Sequence, residues 1–136
     1  MADALQLEIA TPVRLVVSDM VDEVIAPGSE GYFGVLRGHA PFLTTLGVGE
    51  LTSRKGRDEY HLAVAGGFAE VRNDKVIVLA DSAERPKEID RERAERARHR
   101  AEQRLGGRGQ EEIDYARCTA ALARALTRLH VAGRPH

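Results

Sequence analysis

Leu5, Leu7 and Ile9 alternate with polar residues, and Val13, Leu15 and Val17 repeat the alternation after Pro12. That is the period of a strand with one buried face. Runs of similar length follow at residues 21–25, 32–35, 42–46, 60–64, 68–71 and 76–79, closed by breakers such as Pro27-Gly28, Gly38, Gly47, Gly49 and Gly66-Gly67. Asn73-Asp74 between the last two runs predicts a tight hairpin. Short strands with no helix between them predict an antiparallel β-sandwich or flattened barrel. A core drawn from about 80 residues is only modestly stable alone.

From Glu84 the period changes. Residues 89–105 contain neither glycine nor proline, and Pro86 stands where it ends the last strand without disturbing a helix. Ala94, Ala97, Ala101 and Leu105 recur at steps of three and four, a narrow stripe of small residues. Gly106-Gly107-Arg108-Gly109 stops this helix. A second helix is predicted over residues 111–131, with Ile113, Ala120 or Ala121, Leu122, Ala125, Leu126 and Leu129 on its apolar side. A four-residue break predicts an antiparallel hairpin. The fold class is therefore α+β: an antiparallel β-sandwich or flattened barrel over residues 1–85, then an antiparallel two-helix hairpin over residues 86–136. Alanine brings helices close yet buries little area, at about 25 cal/mol per Å². Such a hairpin holds weakly and can open.

Charge sharpens the division. The 136 residues carry a formal charge of −1, which excludes a general attraction to nucleic acid. Residues 1–84 hold 7 basic and 13 acidic side chains, a net −6; residues 85–136 hold 13 basic and 8 acidic, a net +5. Lys55, Lys75 and Lys87 are the only lysines, so the basic half is built from arginine, whose planar fork suits carboxylate and phosphate. Cys118 is the single cysteine and closes no intramolecular disulfide. No apolar run approaches the ~20 residues of a membrane span. Neither a signal nor a transit peptide is evident, so a soluble, cytoplasmic chain is expected.

Four strings stand in register along this order of elements: Gly28-Ser29-Glu30-Gly31, residues 34–41 (GVLRGHAP), residues 66–71 (GGFAEV), and residues 89–94 (IDRERA). Together they resemble the epsilon subunit family of bacterial F-type ATP synthases over essentially the whole chain. The resemblance implies a non-catalytic subunit of the rotary stalk in a complex that makes ATP from ADP using a proton gradient. It implies contacts of the sandwich with the gamma subunit and the ring of c subunits. It further implies a hairpin that either folds beside the sandwich or extends to the alpha/beta catalytic subunits and inhibits ATP hydrolysis. The implied location is peripheral, on the cytoplasmic face of the bacterial cell membrane, without insertion. No cofactor is required, and ATP enters only as a regulatory ligand.

The same resemblance singles out residues. Glu30, Tyr32 and His39 would project from the base of the sandwich to the c ring, although the glycines around them also serve turn chemistry. Arg37 replaces the family's usual proline there, which predicts a less rigid loop. Glu84, Ile89, Asp90, Arg93, Ala94, Arg100, Arg124 and Arg128 match the pattern of members that bind ATP without hydrolysing it. The residues agree with that chemistry. Arg93 and Arg100 share one helix face, as do Arg124 and Arg128, and several guanidinium groups suit a triphosphate. Asp90 can cap its helix or orient an arginine, and Glu84 can accept from an adenine amino group. The plainer alternative is a solvated charged hairpin with pairs such as Glu92 to Arg96. Gly66-Gly67-Phe68 lacks the spacing of a phosphate loop and reads as a close backbone approach in a sheet, with Phe68 in the core or against gamma.

Two other classes compare poorly. A free-standing module contacting nucleic acid through the arginine-rich hairpin would find its basic stripe broken by Glu88, Glu92, Glu95, Glu102, Glu111 and Glu112, and only Tyr115 for stacking. An independent enzyme would need a nucleophile beside a base or metal-ligand spacing. His39, His61, His99, His130 and His136 are scattered, and no metal site is expected.

Overall fold

The computed structural model describes residues 4–107 and 112–136. Eight strands come first: β1 (Leu5–Ala10), β2 (Leu15–Val21), β3 (Glu23–Gly28), β4 (Gly31–Val35), β5 (Phe42–Thr45), β6 (Val48–Lys55), β7 (Asp58–Arg72) and β8 (Lys75–Glu84). A 3₁₀ turn, Pro86–Glu88, leads to α1 (Arg91–Leu105) and α2 (Glu112–Ala132). The strands run in the order β2-β1-β8-β7-β6-β3-β4, with β5 also paired to β7. Every pairing is antiparallel except β1 with β8. Leu5, Leu7, Ile9, Val24, Val35, Leu51, Leu62, Val64, Val71, Val76 and Val78 point inward and form one core.

Three details differ from the pattern reading. First, β2 turns Leu15 outward and Val16 inward. The register slips between Ile9 and Ala10, and this bulge shifts the alternation by one residue, so the row of Val13 and Leu15 lies on the surface. Second, β6 starts just after Gly47 and contains Gly49, two glycines that resemble breakers. Its inward positions are Gly49, Leu51 and Ser53, and two small residues out of three leave no apolar alternation to see. A Cβ on Gly49 would stand 2.8 Å from Pro27 Cβ and overlap the Tyr32 hydroxyl, which explains the residue.

Third, the two predicted strands at 60–64 and 68–71 are one. β7 crosses Gly66-Gly67 unbroken, and the change of partner on one edge, from β6 to β5, falls there. Gly67 has φ +104, and a Cβ on it would collide with the Leu79 carbonyl and stand 2.8 Å from Ala80 Cα. The close backbone approach is real. Asn73 and Asp74, at φ 52 and 59, form the expected tight turn into β8. Phe68 is on the surface and not in the core.

The helices pack as a hairpin along a seam of small residues. Ala94, Ala101, Cys118 and Ala125 are buried, and Gly106 ends α1. Residues 108–111, which include Arg108-Gly109 and the predicted start of the second helix, and the Ile113 side chain lie outside the described residues. The hairpin lies against the sheet, and contact with the sheet runs through α2, which meets β6, β7 and the 3₁₀ turn. The charged pairs on α1 centre on Arg98, 2.7 Å from Glu95 and 3.7 Å from Glu102, and not on Glu92 with Arg96.

Candidate functional site

Asp90 is fixed first, by local chemistry. Its Oδ1 accepts from the Arg93 backbone N–H at 3.1 Å, an N-cap that satisfies one of the four orphan donors of a helix start. Ala94 then falls into the seam, while Arg93 and Arg100 face solvent. One turn before the helix, Glu88 accepts from the Arg85 N–H at 2.9 Å and pairs with Arg14 at 2.7 Å. Burial alone would raise the Glu88 pKa; the Arg85 N–H and the Arg14 and Arg85 charges outweigh it and hold the carboxyl low. Arg85 donates to the Val16 carbonyl at 2.6 Å. Pro86 is buried. The linker is thus pinned to β2.

Across the hairpin, Arg100 and Arg104 of α1 and Arg117 and Arg124 of α2 line one open groove of about 370 Å³ floored by Ala97, Ala101, Cys118 and Ala121. Arg124 also borders a small recess between α2 and the sheet, with Glu84, Arg128, Val64 and Ser82. There Arg128 Nε donates to Glu84 Oε1 at 2.6 Å. The structure therefore brings Glu84, Arg124 and Arg128 together, and Arg100 with Arg124. Ile89, Asp90, Arg93 and Ala94 gather at the helix start, where their visible work is capping and packing. Arg104 and Arg117 were missed by pattern reading, although both extend the same arginine face.

Glu30, Tyr32 and His39 are spread apart. Glu30 sits on the exposed turn between β3 and β4. Tyr32 leans over β6, its hydroxyl accepting from the Glu50 N–H at 3.0 Å, beside Leu126 and His130 of α2. His39 Nδ1 lies 2.7 Å from the Ala40 carbonyl, and its ring meets Phe42 edge-on. Asp74 holds this loop, accepting from the Gly38 N–H at 2.7 Å and pairing with Arg37 at 3.5 Å. Arg37 thus gains an anchor from the neighbouring turn.

Two further features were not legible. An apolar row crosses the outer face of the sheet: Leu15 pairs with Ala10, Ala10 with Leu79, and Leu79 with Phe68. Phe68 and Leu79 are 55% and 53% exposed, and Val13 and Leu43 lie exposed nearby, a contiguous patch of the kind that marks an interface. The second is an ionic cluster under the end of α2. Glu50 of β6 takes a forked contact from Arg134, Nε at 2.9 Å and Nη2 at 3.0 Å. His61 Nδ1 stands 3.3 Å and His130 Nε2 3.6 Å from the same carboxylate. Burial alone would raise the Glu50 pKa; the Arg134 fork and the two imidazoles outweigh it and hold the carboxyl below its ordinary value. Burial lowers the His61 pKa, with Glu50 opposing only in part. Neither residue carried a signal: Glu50 lies in the strand hidden by glycines, and Arg134 follows the helix-ending Gly133.

Among the described residues, no group of His, Cys, Asp and Glu could hold a metal, and no helix is long and apolar enough to cross a membrane.

Comparison with known proteins follows this division. The family model "ATP synthase, Delta/Epsilon chain, beta-sandwich domain" matches residues 4–86, and "ATP synthase, Delta/Epsilon chain, long alpha-helix domain" matches residues 87–133. The ATP synthase epsilon chain of Nitratidesulfovibrio vulgaris (strain DP4) is 53% identical over 133 residues, covering 98% of each chain. That of Geobacter metallireducens is 51% identical over 134 residues, covering 98% of this chain and 97% of the relative. A chain in the cryo-EM structure of the Euglena gracilis mitochondrial ATP synthase, OSCP/F1/c-ring, superposes with a TM-score of 0.81 at 23% identity, over 96% of this chain and 82% of that one. A chain of the Tetrahymena thermophila mitochondrial ATP synthase central stalk and c-ring gives 0.64 at 13% identity, over 94% and 96%. At such identities these two establish the shared fold.

Proposed function

The chain belongs to the ATP synthase delta/epsilon family, and on that premise we propose that it is the non-catalytic epsilon-type subunit of a rotary stalk whose hairpin restrains ATP hydrolysis. Its relatives are ATP synthase epsilon chains throughout their length, and nothing supports the nucleic-acid reading. In this role the sandwich, residues 1–85, joins the gamma subunit to the c ring on the cytoplasmic face of the membrane. The outer row of Leu15, Leu79 and Phe68 suits an apolar partner surface, assigned to gamma. Glu30, on the turn before β4, and His39, in the loop after it, are each assigned to the c ring; Tyr32, committed to β6, contributes through its exposed ring.

The hairpin, residues 86–136, is the regulatory part. The observation that carries this is the seam: among the described residues, the buried side chains of the two helices ahead of Val131 are four small ones, Ala94, Ala101, Cys118 and Ala125. Little area is lost when it opens. Because the linker is pinned through Glu88, the pivot is assigned to residues 89–90. ATP is the ligand assigned to the folded form, held by Arg100 and Arg124 in the groove, with Arg93 two turns earlier on α1. Arg128 exchanges Glu84 for phosphate, which frees the Glu84 carboxylate for an amino group. A ligand bound only to the folded form stabilises it by RT ln(1 + [L]/Kd), about 2.7 kcal/mol at a hundredfold excess. When ATP falls, the freed segment, net +4 over residues 89–136, reaches acidic surface on the alpha/beta subunits.

Deleting residues 86–136 tests the reading in the assembled complex. Assembly should persist and ATP hydrolysis should rise; unchanged hydrolysis in a complex that is otherwise inhibited refutes it. Calorimetric titration of the full chain with ATP, repeated on Arg124→Ala, tests the ligand. Equal heats from both would remove ATP from the groove.

A further inference from the structure

Past Ala132 the chain does not leave the surface. Gly133 and Arg134 close on the helix end through N–H groups that donate to the His130 and Val131 carbonyls at 3.3 and 2.9 Å. This turn aims Arg134 at the sheet, where its fork meets both oxygens of Glu50. Two residues on, the His136 carbonyl accepts from the His61 N–H at 3.1 Å, and the two rings of His136 and Tyr60 lie 5.0 Å apart. The edge of β7 explains the placement. β8 pairs with β7 only as far as Ala63 with Glu84, then the chain turns away. The His61 N–H is the next donor along that edge, and His136 supplies its acceptor.

We propose that residues 133–136 act as a clasp, fastening the end of α2 to β6 and to the edge of β7 past its last pair with β8, and that the clasp sets how readily the hairpin opens. The proposal rests on the reading that the hairpin opens at all. Its logic is one of strength and location. The seam between the helices is too small to hold α1 and α2 to anything else, so docking depends on where α2 meets the sheet. There the chain places a two-pronged charged contact on a carboxylate whose side chain is only 15% exposed, with His61, itself 3.2 Å from the Thr52 hydroxyl, and His130 beside it. Forked arginine–carboxylate contacts specify direction as well as strength. When α2 lifts, water reaches Glu50 and replaces the lost donors. The clasp is therefore reversible, unlike a buried pair stranded by the loss of one partner.

Hydrogen exchange on the full chain tests this with Arg134→Ala, Glu50→Ala and the exchanged pair Glu50→Arg with Arg134→Glu. Each single variant should speed exchange in α2 about tenfold, the scale of a partly exposed charge-assisted contact. Amides of β1 and β8 should keep their protection, and the exchanged pair should recover much of the loss in α2. Should Glu50→Ala disturb the sheet, Arg134→Ala lies outside it and carries the test alone. Wild-type α2 protection in Arg134→Ala overturns the clasp. The opening itself is judged on the unaltered chain: if α2 is as protected as β8 at every ATP concentration, that reading fails regardless of the variants.

Discussion

Val131 measures how the hairpin is attached. It is fully buried, near the end of α2, between the two anchors Arg128 and Arg134. Val131→Ala removes two carbon atoms from this contact. At about 0.8 kcal/mol per buried CH₂ the transfer loss is ~1.6 kcal/mol. A partly retained cavity raises it to about 2 kcal/mol. With 1.4 kcal/mol to each factor of ten, the undocked fraction rises about thirtyfold. Because the cost falls on docking and not on the sheet, it should appear selectively. Hydrogen exchange should show α2 losing protection by about that factor, while strands β1, β7 and β8 hold theirs. Val78→Ala is the control: it deletes the same atoms from the fully buried sandwich core and should weaken the strands. If Val131→Ala lowers protection equally in strands and helices, the two parts form one cooperative unit and the argument for an independently opening hairpin is wrong.

Three other outcomes are expected. Gly67→Ala places a Cβ against the Leu79 carbonyl at φ +104; a strained non-glycine backbone costs about 1–3 kcal/mol, so the melting temperature should fall, and an unchanged one refutes the close approach. Phe68→Glu, on the outer row, should abolish capture by the gamma subunit while the circular dichroism stays that of the parent; retained capture would move the interface elsewhere. Acid should undock the hairpin: Glu50 and His61 both sit below their ordinary pKa values when α2 covers them, so the undocked form binds more protons. Docking should be full above about pH 6.5 and weaken as pH falls, through His61 first and then Glu50. Energy transfer between dyes on α2 and β8 reports it, and a flat or inverted response contradicts the assignment.

Much of the architecture was legible because its signals are local. Leu5, Leu7 and Ile9 declare a half-buried strand, Asn73-Asp74 a tight turn, and the alanine stripe a close helix pair. What escaped depends on contacts distant in sequence. β6 is hidden because Gly49 and Ser53 fill its inward positions, and the need for a glycine at 49 comes from Pro27 and Tyr32. The outward turn of Leu15 comes from a bulge against Ala10. At the hairpin, the arginine spacing was readable, since Arg124 and Arg128 share a face by helical period alone. The Arg134–Glu50 contact was not, because it joins residues 84 apart across an element with no visible pattern.

The two halves are stabilised by different physics, and the proposed opening of the hairpin draws on that difference. The sandwich encloses valine, leucine and isoleucine in one core, so its opening exposes much apolar surface at once. The hairpin is held at one end, by Arg128 on Glu84, Val131, and Arg134 on Glu50, while its far end reaches Gly106 and Gly107 without a comparable anchor among the described residues. A rod held at one end is released by breaking a few contacts there. The linker works in the opposite sense: Arg85 on Val16, Glu88 on Arg14 and the buried Pro86 keep it on β2. On the proposed opening, undocking α2 frees the helices while their root stays fixed to the sheet, which would confine the motion to a swing about residues 89–90.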